Sequence, residues 1–336
     1  MAKNLSEAER YKIEGYLKAG INPGEIAKLL GRCRATIYNE IKRGTCIQLD
    51  SELREYKAYL ADAGERVHNE RAAEKGRPPK IGNDMEFVRH VEHMTNNEKY
   101  SPFAIIADIE NRGLDFKTKV CERTIYNYIK NGTFLNIKAK SKQKHEKKSK
   151  VSLNNLKGRS IEERPDYIKD RTSYGHWEMD TVVSGQGKSK ACLLVLTERA
   201  IREEIIIKMD NKKAESTVKA LNSLERKLGA VQFRKIFKSI TVDNGVEFLD
   251  CPGLEKSVIN KKLPRTTIFY CHPYSSYERG SNENQNKLIR KFVPKGSDIS
   301  QLTTEDILKI QNWMNNYPRK LLKGKSANML KKELAA

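Results

Sequence analysis

The order of apolar and polar positions separates a helical N-terminal part of the chain from a C-terminal part that begins with strands. The stretches HWEMDTVVSG, KACLLVLTE and REEIIIKM are rich in β-branched and apolar residues, which predicts three successive strands. A helix over residues 214–228 and a fourth strand within IFKSITVDNG follow. Three strands, a helix and further strand–helix units predict an α/β domain with a mixed sheet, in the order of an RNase H-like fold.

Three short helices are predicted at the N-terminus. Ser6 and Glu9 form a capping box ahead of the first helix, Asn22 and Pro23 begin the second, and the third begins near Arg34. A glycine-containing turn before the third helix is typical of a helix-turn-helix, whose last helix lies in the major groove. The predicted core residues are Ile26, Leu29, Leu30, Ile37 and Ile41. The candidate DNA contacts on the third helix are Arg34, Thr36, Tyr38, Asn39, Lys42 and Arg43.

The decapeptide TIYNEIKRGT at residues 36–45 recurs as TIYNYIKNGT at residues 124–133, with eight of ten positions identical. The second copy is also preceded by a capped helix, which begins at Ser101 and Pro102, and by a glycine, Gly113. One explanation is that TIYN suits any short amphipathic helix; the other is a second helix-turn-helix, so that two units grip a longer DNA site. The candidate contacts in the second copy are Arg123, Thr124, Tyr126, Asn127 and Lys130.

The net charge favours a polyanionic partner. The 336 residues include 64 Lys and Arg against 43 Asp and Glu, a formal charge of +21. Double-stranded DNA fits this excess, although a merely basic protein or one that touches acidic membranes would also carry it. No apolar run approaches the roughly 18 to 20 residues of a membrane helix and no export signal opens the sequence, which predicts a cytoplasmic protein. The six cysteines show no metal or disulfide spacing, so we expect reduced, mostly buried thiols.

Two breaks suggest the domain organisation. KAKSKQKHEKKSK, residues 138–150, is nearly all lysine and polar residues, which is typical of a solvated linker. EKGRPPKIGND, residues 74–84, interrupts the helical pattern with proline and glycine. The predicted parts are two all-α helix-turn-helix domains, a basic linker and a catalytic domain, at residues 1–60, 61–137, 138–165 and 166–336.

Three carboxylates fall on three different predicted elements. Asp180 lies in the first strand of the C-terminal part, Asp243 at the end of the fourth, and Glu283 on a later helix. Phosphodiester cleavage by two Mg²⁺ ions, for which Mn²⁺ can substitute, needs such a set of oxygen ligands. The alternatives are that Asp243 serves only its D-N-G turn, and that Glu247 or Glu178 replaces an aspartate. We expect three other acids to face solvent: Glu203, Glu204 and Asp210.

The helix of Glu283 is predicted to be polar on one face. Lys287 and Arg290 fall within about 40° of Glu283, and the opposite face is apolar. The carboxylate could then bind metal while the two cations hold the DNA backbone. An ordinary surface helix with an ion pair between residues four apart would look similar.

These motifs resemble a known family. GHWEMDTVVSG, ITVDNGVEF and HPYSSYERGSNENQNKLIRKFVPKG are similar to the signature blocks of bacterial DDE transposases of the insertion-sequence-thirty family, and LGRCRATIYNEIKRG and SIEERPDYIKDR extend the resemblance. The resemblance implies a retroviral-integrase-like core with Asp180, Asp243 and Glu283 as catalytic acids and Arg290 as the basic residue seven positions on. It also implies binding of terminal inverted repeats and target DNA, Mg²⁺-dependent strand nicking and transfer, and an oligomer, at least a dimer, that pairs two ends.

The sequence departs from the family at one place. The 39 residues between Asp243 and Glu283 are more than the family resemblance leads us to expect, and we predict that CPGLEKSVINKKL, residues 251–263, is a surface insertion. His272 is predicted to be a structural turn residue. Two other functions stay open from the sequence: a DNA-binding regulator with an inactive RNase H-like domain, and a nuclease that never joins strands.

Overall fold

The computed structural model describes residues 4–75, 78–137, 158–272 and 280–335, and for Gly280, Ser281 and Glu283 the backbone only. The lysine-rich stretch 138–150 lies outside these residues. The chain divides into two compact units, Met1–Gly82 and Asn83–Ala336, which are described separately. None of the described helices is long and apolar enough to span a membrane.

The first unit combines four helices with a β-hairpin. Its elements are α1 (Glu7–Lys18), α2 (Pro23–Leu29), α3 (Arg34–Gly44), β1 (Thr45–Leu49), β2 (Glu55–Tyr59) and α4 (Ala61–Ala73). Strands β1 and β2 pair antiparallel. Helix α4 begins where the amide of Ala61 donates to Glu14 Oε2 of α1 at 2.8 Å, and its Gly64 lies against Glu40 of α3. The unit therefore extends past residue 60, where the sequence suggested a boundary.

The helix starts follow the predicted caps. Ser6 and Glu9 form a reciprocal capping box on α1, and Asn22 Oδ1 accepts from the amide of Glu25 at 3.0 Å on α2. Four of the five predicted core residues are buried or packed against the core, as expected. The prediction for Leu29 is wrong, since its side chain is 59% exposed. The reason is geometric, because Leu29 lies about 200° around α2 from the buried Ala27.

The second unit starts with three helices and continues into a sheet. The helices are α5 (Met85–Asn96), α6 (Pro102–Arg112) and α7 (Glu122–Lys130). The strands are β3 (Arg159–Ser160), β4 (His176–Val183), β5 (Cys192–Glu198), β6 (Glu204–Met209), β7 (Ser239–Val242) and β8 (Thr267–Tyr270). The remaining helices are α8 (Ala214–Leu228), α9 (Ala230–Ile236), α10 (Cys251–Glu255), α11 (Gly280–Ile289), α12 (Thr304–Asn316) and α13 (Ala327–Ala335).

The six strands form one mixed sheet in the order β3-β8-β7-β4-β5-β6. Strands β4, β5 and β6 are antiparallel neighbours, whereas β7 is parallel to β4, and β8 is parallel to β7. The mixed α/β core predicted from the sequence is confirmed. The three successive strands, the helix and the further strands follow the order predicted from the sequence.

Helices cover both faces of the sheet. On one face, Trp177 and Met179 of β4 pack with residues of α8 and α9 in one buried cluster. On the other face, Val182 of β4 packs with residues of α11 and α12. Because successive strand residues point to opposite faces, the even-numbered residues of β4 share the face that α11 covers.

The three helices α5–α7 pack against the sheet domain. The ring of Tyr100 meets the rings of Trp313 and Tyr317 edge-on, with centroids 5.8 and 5.1 Å apart. Lys99 Nζ donates to the carbonyl of Lys291 at 2.8 Å, and Lys291 Nζ donates back to the carbonyl of Lys99 at 2.8 Å. The second three-helix group and the sheet are therefore parts of one compact unit.

The segment 251–263 is not simply a surface insertion. Cys251, Leu254 and Ser257 are buried at three-residue intervals, while residues 261–264 are exposed. The hydroxyl of Ser257 donates to Glu225 of α8, which also pairs with the fully buried Arg265 at 3.5 Å. The prediction is wrong for the first half of the segment, because its apolar spacing lets it pack onto α8.

Two acids that were expected in solvent are buried. Glu203 is 7% exposed and Glu204 is fully buried, whereas Asp210 is exposed as predicted. The amide of Glu204 donates to Asn315 Oδ1 at 2.7 Å, and its carboxyl accepts from Thr197 Oγ1 at 3.0 Å. Burial raises the pKa of Glu204 from its usual 4.5 to about 8. Packing of α12 over the end of β6 overrides the polar character of these residues.

We expect Glu204→Gln to stabilise the protein progressively as the pH rises from 5 to 8. The carboxyl is protonated in the folded state over this range but ionised in the unfolded state, so folding of the parent chain loses on the order of 1.4 kcal/mol per pH unit. Glutamine does not titrate. Urea unfolding at each pH measures the difference, and a constant difference would contradict the prediction. Glu203→Gln, which removes an ion pair with Lys331, should destabilise instead.

Candidate active site and nucleic-acid interface

The pairing of β4 with β7 runs towards Asp180 and Asp243. The two strands run parallel with His176 opposite Ser239 and Glu178 opposite Thr241, a constant difference of 63, and the paired ladder ends there. The same register continued for two residues would set Asp180 opposite Asp243, which directly follows β7. Neighbouring strands lie about 4.8 Å apart, and residues in register point to the same face. Both aspartates are partly exposed there.

Helix α11 meets this pair of strands through Asn286. Its side-chain amide donates to Asp180 Oδ2 at 2.7 Å, while Asp180 Oδ1 accepts from the amide of Thr181 at 2.9 Å. Residues three apart share a helix face, so position 283 lies on the face of α11 that includes Asn286. The side chain of Glu283 itself lies outside the described part of the structure.

The D-N-G turn fixes the carboxylate of Asp243. Asp243 Oδ1 accepts from the amide of Gly245 at 2.9 Å, and Asn244 Nδ2 donates to the carbonyl of Cys271 at 2.9 Å. A Cβ at position 245 would lie 2.5 Å from a Glu247 oxygen and 2.9 Å from Asp243 Oδ1, so a side chain there would displace these two carboxylates. The turn and an active-site role are therefore compatible, because the turn orients the carboxylate.

The two rival acids are engaged inside the protein. Glu178 is fully buried and pairs with Arg199 at 3.2 Å. Glu247 is 1% exposed, accepts from Thr181 Oγ1 at 2.7 Å and pairs with Lys212 at 3.2 Å. Thr181 is an odd-numbered residue of β4, so its side chain points to the face opposite that of Asp180. Asp180, within β4, and Asp243, directly after β7, are by contrast partly exposed.

A row of polar pairs leads along the strands to the aspartates. His176 Nδ1 and Ser239 Oγ are 2.8 Å apart, and Arg164 Nη1 donates to Thr241 Oγ1 at 3.1 Å in the next pair. Burial and nearby cations lower the pKa of His176 to about 4, so its imidazole is neutral at neutral pH. Sequence reasoning missed Arg164 and this row. The signal was available, because polar residues alternate at 176, 178 and 180 in an otherwise apolar strand.

The described residues contain no cluster of three or more His, Cys, Asp and Glu side chains placed to hold a metal ion. The side chain of Glu283, the third predicted ligand, is not among them. All six cysteines are free thiols; three are buried and two are exposed, fewer buried than the sequence suggested. His272 Nε2 lies 3.2 Å from Glu162 Oε1, a contact between two loops.

The chain is similar to several known proteins. Residues 2–44 match a helix-turn-helix domain family. The probable transposase for insertion-like sequence element IS1161 of Streptococcus salivarius is 32% identical, covering 98% of this chain and 94% of that protein. The transposase for IS4351 of Bacteroides fragilis is 29% identical over 96% and 93%. Transposase InsI for IS30A of Escherichia coli K12 is 29% identical over 96% and 82%.

The chain belongs to the insertion-sequence-thirty (IS30) family of transposases. A solved simian T-cell lymphotropic virus intasome, in complex with PP2A regulatory subunit B56 gamma, aligns with 44% of the chain and 50% of that chain. Its sequence identity to this chain is 15%, and the TM-score is 0.32.

The third helix of the transposase's helix-turn-helix presents most of the predicted contacts to solvent. Five residues of α3 are exposed: Arg34, Thr36, Tyr38, Asn39 and Lys42. Arg43 differs, because it is half-buried and hydrogen-bonds to Glu40, which also accepts from Arg10 Nε at 2.9 Å. In the described contacts, the Arg43 guanidinium therefore stabilises the fold of the first unit.

The corresponding helix of the second copy, α7, is exposed in a similar pattern. Four predicted residues are exposed: Arg123, Tyr126, Asn127 and Lys130. Thr124 is half-buried, with its Oγ1 3.3 Å from Cys121 Sγ. Glu122 at the start of α7 pairs with Lys320 at 2.6 Å. The N-terminal end of α7 is thus tied to the sheet domain.

Arg290 connects the end of α11 to the end of β4. Its Nη2 donates to the carbonyl of Val183 at 3.1 Å, and its Nη1 lies 3.4 and 3.5 Å from the carbonyls of Val293 and Pro294. Partial burial lowers the pKa of its guanidinium. An arginine has five donor hydrogens, so these carbonyls leave donors for a phosphate. Lys287, one turn earlier, is exposed.

We predict that Arg290→Ala lowers DNA cleavage and strand transfer by about 10- to 100-fold, or about 1.4 to 2.8 kcal/mol, without changing the metal requirement. Arg290→Lys should lose less, because a point charge attracts phosphate but lacks the donor fork. Thermal unfolding is measured beside activity. A large fall in melting temperature with a proportionate loss of DNA binding would show that Arg290 only braces the fold.

Proposed function

We propose that this transposase cuts and rejoins DNA strands at Asp180, Asp243 and Glu283. The observation that supports this most directly is the parallel register of β4 and β7, which, continued for two residues, would set two partly exposed aspartates side by side. Asn286, which holds Asp180, is one helical turn after Glu283. Three acids on three rigid elements suit a site whose geometry must persist through the reaction.

The chemistry of these residues fits a pair of Mg²⁺ ions. Two adjacent carboxylates repel each other unless a cation lies between them. Hard oxygen ligands are the ones that Mg²⁺ prefers, and Mn²⁺ accepts the same set. Asp180, Asp243 and Glu283 would hold the ions. Bound metal would supply Lewis-acid stabilisation of the attacking and leaving oxygens.

The chain's own residues would orient the acids and the DNA. The amides of Asn286 and Gly245 fix the carboxylates of Asp180 and Asp243, which limits their rearrangement during the reaction. In nicking, a water oxygen bonds to phosphorus and the bond to the 3′ oxygen breaks, which leaves a 3′-hydroxyl. In joining, that hydroxyl attacks a target phosphorus and displaces the target's 3′ oxygen, so the number of phosphodiester bonds is conserved.

DNA recognition is assigned to two helix-turn-helix units. The first coincides with the matched domain, residues 2–44. The second is α5–α7, in which the TIYN repeat again begins an exposed last helix behind a glycine turn. We assign both to the terminal inverted repeats, with the net charge of +21 favouring DNA overall. Pairing of two ends requires at least a dimer.

We expect Asp180→Ala, Asp243→Ala and Glu283→Ala each to abolish nicking and joining, while binding to cognate ends stays within a few-fold. The reason is that these acids hold metal rather than DNA. Cleavage of labelled end DNA with and without Mg²⁺ is the measurement, and Asp210→Ala, an exposed acid beyond β6, is the matched control that should retain activity.

Near-normal cleavage by any of the three variants would remove that residue from the site. The same assay separates the other candidate functions. Binding by the parent chain without metal-dependent cleavage would indicate a regulator. Cleavage without joined product would indicate a hydrolytic nuclease.

We predict that Asn39→Ala relaxes sequence preference by about 1 to 3 kcal/mol per lost base contact, because an amide can hydrogen-bond an adenine edge in the major groove. Asn127→Ala at the matching position of α7 tests the second unit. Binding of each variant to the cognate end and to scrambled DNA is compared. An equal loss on both DNAs would show that the residue does not discriminate bases.

A further inference from the structure

A cavity of about 640 Å³ lies beside α11, on a flank different from that of the aspartates. Its walls come from α6, α7 and α11, and from residues 317–321 after α12. Asn284, Gln285 and Leu288 of α11 face it. Because consecutive helix residues are about 100° apart, Gln285 faces the cavity while Asn286 contacts Asp180. We call this space the α7–α11 cavity.

Cationic side chains outnumber carboxylates in the walls of the α7–α11 cavity. Arg171, Arg202 and Arg319 line it. Arg319 is 7% exposed, and its described acceptors are neutral: Gln285 Oε1, the carbonyl of Met314 at 2.9 Å and the carbonyl of Arg202 at 3.4 Å. The nearby carboxyl of Glu204 is uncharged at neutral pH, as its pKa of about 8 implies. A buried guanidinium without an ionised partner is costly, and an anionic ligand would offset that cost.

Three aromatic rings complete the walls: Phe103, Tyr126 and Tyr317. Lys320 Nζ lies 5.6 Å from the centre of the Phe103 ring and pairs with Glu122, so this lysine is already neutralised. Tyr126 and Tyr317 line the same cavity, and burial and the neighbouring Tyr317 raise the pKa of Tyr126. Aromatic faces stack with any nucleobase, and guanidinium groups bind phosphate.

The size of the cavity selects one nucleotide rather than a duplex. Its volume lies within the roughly 300 to 1,000 Å³ of small-molecule sites. An intact duplex, whose major groove alone is about 12 Å wide, is too large for a cavity of this volume. A phosphate and a flat base are the two chemistries that its walls complement.

We propose that the α7–α11 cavity holds a single extrahelical nucleotide of the end DNA, with its phosphate on Arg171, Arg202 and Arg319 and its base on the exposed ring of Tyr126. The inference rests on the proposed function, because the end must already lie at the neighbouring aspartates. Tyr126 thereby acts differently from Tyr38, the matching residue of the first repeat. Extrusion requires unpairing, which costs less where the base is mismatched.

The test is a set of end duplexes with one mismatch at each successive position around the cleavage site. The full-length protein should bind one of them about tenfold more tightly than the paired end. At that position 2-aminopurine fluorescence should change on binding. Tyr126→Ala and Arg171→Gln should lose the position-specific gain. Tyr126→Phe, which retains the ring, should keep it.

Tyr38→Ala is the matched comparator from the first repeat. It should weaken binding to paired and mismatched ends alike, and so preserve the gain. If the parent chain binds and cleaves ends but no mismatch position binds more tightly, the inference is overturned and the proposed function stands. A gain that persists in a folded Tyr126→Ala variant also overturns it. Failure to bind or cleave ends at all would overturn the proposed function itself, and the inference with it.

Discussion

The parallel pairing of β4 with β7 is the constraint on which the candidate site depends. It sets two polar pairs in succession along one face, His176 with Ser239 and Glu178 with Thr241, and the same register continued for two residues would set Asp180 opposite Asp243. A shift of one residue would turn one aspartate to the opposite face, where Trp177 and Met179 pack against α8 and α9. Burial of that apolar face therefore fixes the register, and the register fixes the distance between the acids. Stability of the core and geometry of the site have the same physical origin.

Features that depend on neighbouring residues could be predicted from the sequence. The capping box at Ser6, the helix Ala214–Leu228 and the strands around Asp180 and Asp243 are set by local patterns, and they are confirmed. Features that depend on distant packing could not. The predicted exposures of Leu29 and Glu204 are wrong, because the exposure of a side chain depends on which element covers its face. For Glu204, that element is α12, which covers the end of β6. The family resemblance implied that Asp180 and Asp243 share one site. The register of β4 with β7 that would set them opposite each other depends on pairing between residues distant in the sequence.

The repeated decapeptide has two different surroundings. In the first unit, α3 presents Tyr38 and Asn39 to solvent. In the second unit, the same sequence forms α7, which is tied through Glu122 to Lys320 of the sheet domain. A repeat need not preserve function when its neighbours differ, because a side chain's partners decide what it can bind. Comparison of matched residues in the two copies is therefore a sharper probe than either copy alone.

Charge pairing distinguishes the supporting residues from the candidate sites. Three buried arginines have a carboxylate within reach: Arg10 with Glu40 at 2.9 Å, Arg199 with Glu178 at 3.2 Å and Arg265 with Glu225 at 3.5 Å. Such pairs need no ligand to neutralise them, because each buried charge has an opposite charge beside it within the fold. The two flanks of α11 carry side chains of opposite charge. One flank faces adjacent carboxylates, which suit cations, and the other faces clustered guanidiniums, which suit an anion. Under the proposed function, a DNA strand with bound metal would carry both charges, so one helix would separate two sites that a single substrate can satisfy.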